Sequence, residues 1–481
     1  MSDQRPFGTR ARLTTDDAAF ENITHRYRFM FTSLEERARA LDKHLLRIQT
    51  ELCARLQITE LQPVGIPSQE VVWVCGRICC DSTEGKINAT SIVLEGSRTE
   101  SNGRRVKLDV SKLDSFSLFP GQIVLVEGIN SSGRTMVATN LIDGIPKPPT
   151  KTLPTILLDM HHSTAYQHGQ PISVLVASGP FSTAENLLYD PFQDLLVQVL
   201  ETKPDLLILL GPFVDVSQPL LATGEARLPI IDDDGKETVH ESASYETIFR
   251  YQIVTYLQSL FSEDPSLPTQ IVLVPSLLDG HHECVFPQPP IGDREKIKSE
   301  FFEDDLGVLN IPCSTDKDKR VHLLPNPCMF RFNEVLFGMT SNDVLFSLSA
   351  DETSKNTGNQ RLARLAGHIL QQQSFSPIFP IPTVYGMQQA DLRHSRHWQM
   401  GATPDILILP SKLNTMARNV HGTLVLNPGQ LTKGINGGTY AELAIHPIKD
   451  NNLRQLITDG KEAVPIEHNV FDRTAVNIKR I

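Results

Sequence analysis

Asp215 and Asp279 each follow a run of aliphatic residues, in LLILLGPFVD and QIVLVPSLLDG. Loops just beyond such strands are where open α/β folds keep their chemistry, because they line the crevice at the carboxyl ends of the sheet. Two carboxylates joined by imidazoles could clamp a pair of divalent ions about 4 Å apart and activate water against a phosphate. The imidazoles on offer are His281-His282, His394, His397 and His421. Adjacent histidines on a loop do not by themselves make a ligand pair, and hydrogen-bonded or surface roles are expected for each. The seven cysteines are odd in number and form no C-x-x-C. That pattern predicts free thiols in a reducing compartment, and neither a disulfide scaffold nor a zinc knuckle. Cys75 and Cys79 share one strand face and Cys80 takes the other, so buried apolar thiols are expected there. The stretch from Gly429 to Gly434 lacks the spacing of a phosphate loop and reads as a tight loop between strands.

Elements must hold these groups, and the hydrophobic pattern predicts them. Ser33 and Glu36 form a capping box ahead of a helix whose apolar stripe is Leu34, Ala38, Leu41, Leu45, Ile48, Leu52 and Leu56. That stripe suits packing on its own domain or binding a partner. Next come five strand-like segments, at 71–80, 86–94, 104–110, 122–129 and 134–142, with turns at Gly85, Asn102-Gly103, Pro120-Gly121 and Ser132-Gly133. Five such strands fit a small barrel of the OB type. Prolines then mark a stiff extended linker at 146–154. Beyond it, aliphatic strands at 172–178, 206–211 and 270–275 alternate with helices near 191–201 and 243–262, the order of an α/β sheet buried on both faces. Further strands are expected near 335–340, 405–409 and 422–427, a helix near 360–372, and a charged surface insertion at 292–320. The domains expected are an N-terminal extension at 1–64, the barrel at 65–145, the linker, and an α/β domain at 155–481.

Hydrophobic residues make up 40% of the chain, enough for real cores. A net charge of −11 disfavours gripping duplex phosphates as the main task, although it allows a local basic groove. Trp73, Phe116 and Phe119 are few aromatics for a stacking platform. Arg98, Arg104, Arg105 and Lys107 read as a solvated hairpin, so the barrel is expected to face protein. The N-terminus has no apolar h-region, no apolar run reaches the ~20 residues of a membrane-spanning helix, and a cytosolic or nuclear protein is expected.

The loops after the strands read Ser178-Gly179-Pro180, Gly211-Pro212-Phe213-Val214-Asp215, Pro275-Ser276-Leu277-Leu278-Asp279 and Pro410-Ser411-Lys412-Leu413. In order and placement this series resembles the calcineurin-like metallophosphoesterases, whose loops read D-x-H, G-D-x-x-D, G-N-H-[DE] and G-H-x-H. The ligands are missing. Ser178 and Pro180 replace Asp and His, Pro212 replaces the bridging Asp, Leu277 and Leu278 replace Asn and His, and Ser411 and Leu413 replace the last two histidines. Leucine and proline side chains donate nothing to a metal. The resemblance thus implies an inactivated phosphoesterase-like domain in an α+β multidomain chain, without catalytic residues, cofactor or metal. Asp215 and Asp279 match positions that chiefly support the site in that family.

An OB-type barrel ahead of such a domain resembles the B-subunit family of the eukaryotic replicative DNA polymerases, most closely its alpha branch. The phrases that carry this are DLLILLGPFVD, VPSLLDGHHECVFPQPP, NEVLFGMTSNDVLFSLSADE, TPDILILPSKL and LNPGQLTKGINGGTYAEL. The family usually has an extra helical domain and a disordered stretch before the barrel, where this chain has only about 70 residues, so recruitment roles of that domain are not carried over. The resemblance implies a nuclear, non-catalytic accessory subunit in initiation of DNA replication. Its partners would be the C-terminal module of the polymerase alpha catalytic subunit and, through the complex, the primase subunits. DNA would be met indirectly or weakly, and a membrane not at all. The expected partner contacts are the barrel edge near Trp73 and the loop containing Gly429, Lys433 and Gly438. Two other readings remain: a metal-dependent phosphoesterase or exonuclease, and a single-stranded-DNA-binding OB protein.

Overall fold

The computed structural model describes residues 10–15, 31–81, 86–231, 237–291, 320–382 and 390–481. The expected insertion at 292–320, apart from Arg320, lies outside the described residues, as do Gly85 and the cysteine Cys313. Contacts divide the chain into two units: Met1–Tyr27 with Pro149–Asp343 and Pro404–Ile481, and Arg28–Pro148 with Val344–Thr403.

In the second unit, Ser68–Cys80, Ile92–Glu95, Arg105–Asp109, Ile123–Asn130 and Thr135–Ile142 close into a barrel. Around it the strands run first, second, third, fifth, fourth; the third and fifth are parallel and the other pairs antiparallel. Alternate residues fill the inside, among them Val74, Ile78, Leu94, Val106, Leu108, Val124, Val126 and Met136. The second strand is shorter than expected. Asn88 folds 88–91 into a turn instead, its Oδ1 accepting from the N–H groups of Thr90 and Ser91.

The helix Leu34–Leu56 starts at its capping box: Ser33 Oγ accepts from Glu36 N, and Glu36 accepts from Ser33 N. It lays Leu45, Ile48 and Leu52 on Cys75, Ile123 and Leu125 of the barrel wall. The stripe is buried only in its middle, since Leu34 at one end is 83% exposed.

The expected division kept 155–481 together, whereas the contacts assign 344–403 to the barrel unit. Side-chain chemistry explains the assignment. Thr353–Lys355 pairs antiparallel with Phe116–Leu118, a strand that the sequence pattern did not reveal. Glu352 next to it is bound by Arg364 at 2.8 Å and by Ser117 at 2.5 Å. The Gln372 amide accepts from Ile123 N at 2.8 Å and donates to Ile123 O at 2.9 Å.

The first unit holds two six-stranded sheets. One has the order Val321–Leu323, Gln270–Val274, Leu206–Leu210, Ile172–Ser178, Thr439–Ile445, Thr474–Arg480, of which the first four are parallel. The other runs Leu13–Thr15, Cys328–Phe332, Val335–Met339, Ile406–Ile408, Thr423–Asn427, Met416–Val420. The aliphatic runs are explained by burial on both faces. Val174, Val176, Leu206, Ile208, Leu210 and Val272 meet Phe330, Phe337, Ile406 and Leu424 of the second sheet. Leu175, Leu207, Leu209, Ile271 and Leu273 meet the helix side, built from Asp190–Thr202 and from Tyr245–Phe249 and Thr255–Glu263 joined by a π-helical turn. The proline-rich linker is only partly a spacer: Lys151–Thr152 pairs with Ile466–Glu467, and Pro154 opens a helix, Pro154–His162, where its missing N–H is not needed.

That helix is tied down by a fully buried charge. Glu334 accepts from His161 Nε2 at 2.9 Å and Arg473 Nη2 at 2.6 Å, while His161 Nδ1 accepts from Ile448 N. Burial pushes Glu334 up, but the hydrogen bond from His161 and the charge of Arg473 overcome it and hold the carboxyl at about 2. Glu334→Gln is expected to cost on the order of 3 kcal/mol at neutral pH, because Arg473 loses its buried counter-charge. The folded pKa lies below the unfolded one, so the wild-type advantage is full above about pH 5 and fades as pH falls toward 2. Denaturant melts of both proteins at neutral pH and near pH 3 measure this; an undiminished gap at low pH contradicts it.

Candidate functional site

The parallel strands Ile172–Ser178, Leu206–Leu210 and Gln270–Val274 end side by side, and their loops lie backbone on backbone. Gly179 N donates to Leu210 O and Gly211 N to Val274 O, each at 2.8 Å. Both glycines sit at close approaches. A Cβ on Gly179 would lie 2.0 Å from Pro212 O, and one on Gly211 would lie 2.5 Å from Asp279 Oδ2 and 2.8 Å from Ser276 N. The space at the rim is therefore filled by peptide.

Asp279 holds it closed. Its buried carboxylate accepts from Phe213 N at 2.5 Å, Val214 N at 3.0 Å and Ser276 N at 2.7 Å, so it joins two loops. Burial pushes this carboxyl up to about 7 against the downward pull of the three N–H groups. Asp215 serves its own loop, accepting from Ser217 N at 2.9 Å and Ser217 Oγ at 2.7 Å. Backbone bonds from Val216 N to Leu278 O and from Gly280 N to Val214 O complete the seam.

Of the positions that the phosphoesterase resemblance singles out, Ser178, Pro180, Pro212, Leu277 and Leu278 lie at the ends of these parallel strands, and Ser411 and Leu413 follow Ile406–Ile408 of the second sheet. Ser178 is buried and its carbonyl accepts from Leu431 N. The Pro180 carbonyl accepts from Thr432 Oγ1 at 2.9 Å. Pro180 and Pro212 both follow cis peptide bonds. Leu277 is buried and Leu278 half-buried. Ser411 N donates to Asn427 Oδ1 at 2.9 Å, and Leu413 N to Ser411 Oγ at 3.1 Å. Asn427, the second residue of the phrase LNPGQLTKGINGGTYAEL, also accepts from Gly429 N and donates to Asn414 O, sewing two loops together. Among the described residues, no three His, Cys, Asp or Glu side chains come together as a metal site.

His281 and His282 adjoin Asp279, with His281 Nδ1 4.0 Å from Asp279 Oδ1, and the other candidates lie elsewhere. His281 stacks on Phe249 with ring centroids 4.1 Å apart, and His282 Nε2 donates to Pro289 O at 2.7 Å. His421 occupies a left-handed position beside Gly422 in the turn between Met416–Val420 and Thr423–Asn427. His394 and His397 belong to the barrel unit, on the 3₁₀ helix Leu392–Trp398. Burial, and then the Arg396 charge, push His397 down to about 4. Burial pushes the Cys75 thiol up, and that of Cys79 up to about 11, which makes both poor ligands.

Trp73 is half-buried against the apolar seam under the N-terminal helix, and its carbonyl accepts from Gln62 N. The glycine-rich stretch is a hairpin: Thr432–Lys433 pairs with Asn436–Gly437 around Gly434-Ile435. Gly429 has φ +78°, and a Cβ on Gly438 would lie 2.0 Å from Gln430 O. Lys433 is exposed near the tip. Ile435, overlooked in the sequence because turn residues are usually polar, is 60% exposed there.

Two family models match the chain. That of the B subunit of DNA polymerase alpha/epsilon matches residues 174–418, and that of the OB domain of the DNA polymerase alpha B subunit matches residues 38–144. The chain is similar to the DNA polymerase alpha B subunit of Rattus norvegicus, 33% identical over 88% of this chain and 62% of the rat protein. It is also similar to that of Schizosaccharomyces pombe, 33% identical over 96% of this chain and 74% of the relative, and to that of Saccharomyces cerevisiae, 26% identical over 97% and 68%. The chain thus spans less than two thirds of the rat relative's length.

Asp279→Ala strands three buried N–H groups and is expected to cost roughly 3 kcal/mol or more, whereas Asp215→Ala, which frees a local turn, should cost about 1. Chemical denaturation of the two variants checks the ratio; equal losses mean that the seam is held by something other than Asp279.

Proposed function

The chain belongs to the family of DNA polymerase alpha/epsilon B subunits, and from this premise we propose that it is a non-catalytic accessory subunit of the DNA polymerase alpha–primase complex. In this reading it works in the nucleus, where it holds the C-terminal module of the catalytic subunit and thereby links polymerase to primase. The observation that carries the reading is the rim of the parallel sheet. Where a phosphoesterase would aim oxygen and nitrogen lone pairs at two cations, this chain has Pro180, Pro212, Leu277, Leu278 and Leu413, and Asp279 accepts from three backbone N–H groups. The two packed sheets with helices on one side support a calcineurin-like ancestry for 155–343 and 404–481. A fold that has lost its chemistry keeps its surfaces, and function then rests on those.

Two patches are proposed for the partner, one on each unit: the barrel edge beside Trp73, and the hairpin between Gly429 and Gly438 with Lys433 near its tip. A permanent assembly needs an interface above about 2,000 Å². Co-expression with the catalytic subunit's C-terminal module, followed by affinity purification and size exclusion, is expected to give one co-eluting species. Separate elution overturns the subunit reading. Lys433→Glu, at an exposed position that leaves the fold intact, should weaken co-elution; an unchanged profile removes the hairpin from the interface. Metal analysis should find substoichiometric Mn, Fe and Zn and no phosphodiester hydrolysis, whereas a stoichiometric metal with turnover restores the phosphoesterase reading.

A further inference from the structure

The barrel carries cations that the subunit reading does not use. On the third barrel strand, Arg105 and Lys107 point outward and are exposed. Arg105 is held by Glu95 at 2.6 Å. Lys107 has no acidic partner of this kind among the described residues, and its backbone N–H donates to the carbonyl of Arg134, at 3.0 Å, in the loop between the fourth and fifth strands. Arg104, just before the third strand, rests its stem on Gly65, where an added Cβ would come within 3.1 Å of Arg104 Cδ. Gly133, beside Arg134, abuts the same glycine: a Cβ there would lie 3.2 Å from Gly65 O. Arg104, Lys107 and Arg134 are all exposed, and none forms an ion pair among the described residues.

The neighbouring acids are already engaged. Glu95 faces Arg77 and Arg105, Glu100 accepts from Gln49, and Asp109 accepts from Ser111 N and feels the Lys107 and Lys112 charges from a distance. Arg98, Arg104, Arg105, Lys107 and Arg134 outnumber Glu95, Glu100 and Asp109, so the strip is locally positive on a chain whose net charge is −11. The sequence showed only the hairpin cations; the fold adds Arg134 to them. The second and third strands and the fourth-to-fifth loop are also the side on which OB barrels take extended polymers.

We propose that Arg104, Lys107 and Arg134 form a site for the phosphodiester backbone of a single-stranded nucleic acid. The site does not read bases. Stacking would need exposed aromatics, but Phe116 and Phe119 are buried in the barrel unit and Trp73 is half-covered under the helix. Three phosphate contacts predict a slope of about −2 for log K against log salt. This assignment is independent of whether the chain binds the catalytic subunit.

The test is fluorescence anisotropy of a labelled oligo(dT) titrated with the full chain over a range of salt. The expected result is salt-dependent binding with that slope. Arg104→Gln/Lys107→Gln/Arg134→Gln should lose at least tenfold in affinity and flatten the slope, with an unchanged thermal melt, while Lys461→Gln on the other unit changes nothing. Three results overturn the proposal: no binding at low salt, a triple variant that binds like the wild type, or preferential capture of a labelled polyglutamate peptide over the oligonucleotide.

Discussion

The rim of the parallel sheet depends on one carboxylate being surrounded by amides. Asp279 accepts N–H groups from both sides of the crevice, and the loops can approach so closely only because Gly179 and Gly211 have no side chains to hold them apart. A buried carboxylate needs compensation for lost hydration, and either a cation or a ring of oriented N–H dipoles can supply it. Here three N–H dipoles do so in part, and burial still leaves the carboxyl raised to about 7. Lone pairs engaged by N–H groups are not available to a metal, so the close approach of the loops and the use of Asp279 as an acceptor are two aspects of one arrangement.

How much could be read beforehand varied with the kind of signal. The aliphatic runs gave the three central strands because burial on both faces leaves no polar positions, as Leu206–Leu210 shows. Ser33 and Glu36 gave the start of a helix because a capping box is local chemistry. Cys328–Phe332 is harder to read, because it is short and apolar Met329 shares the outward face with Arg331, which blurs the alternation. The placement of 344–403 was missed because it depends on Glu352 and Gln372 finding partners more than two hundred residues away in the sequence.

The candidate site divides in the same way. That Pro212 and Leu278 cannot ligate a metal follows from residue type alone. That Asp279 staples two loops, that Asn427 sews two more and that Arg134 joins Lys107 all depend on hydrogen bonds between distant segments, which spacing does not encode. Trp73 shows the limit of composition as a guide: an aromatic in an apolar strand could face core, partner or nucleic acid, and in the fold it packs against the cluster formed by Leu45, Ile48 and Leu52 of the helix Leu34–Leu56.

The barrel unit is assembled from two parts of the chain, with Pro149–Asp343 of the other unit between them. During translation the five strands can close early, but the Phe116–Leu118 edge waits for Thr353–Lys355 to leave the ribosome. Pairings of such long sequence separation form slowly, and an open strand edge invites wrong neighbours in the meantime. A gene fragment cut at any single point before residue 403 therefore yields an incomplete barrel unit. Until Thr353–Lys355 is made, the Phe116–Leu118 edge of a nascent chain lacks the strand that covers it.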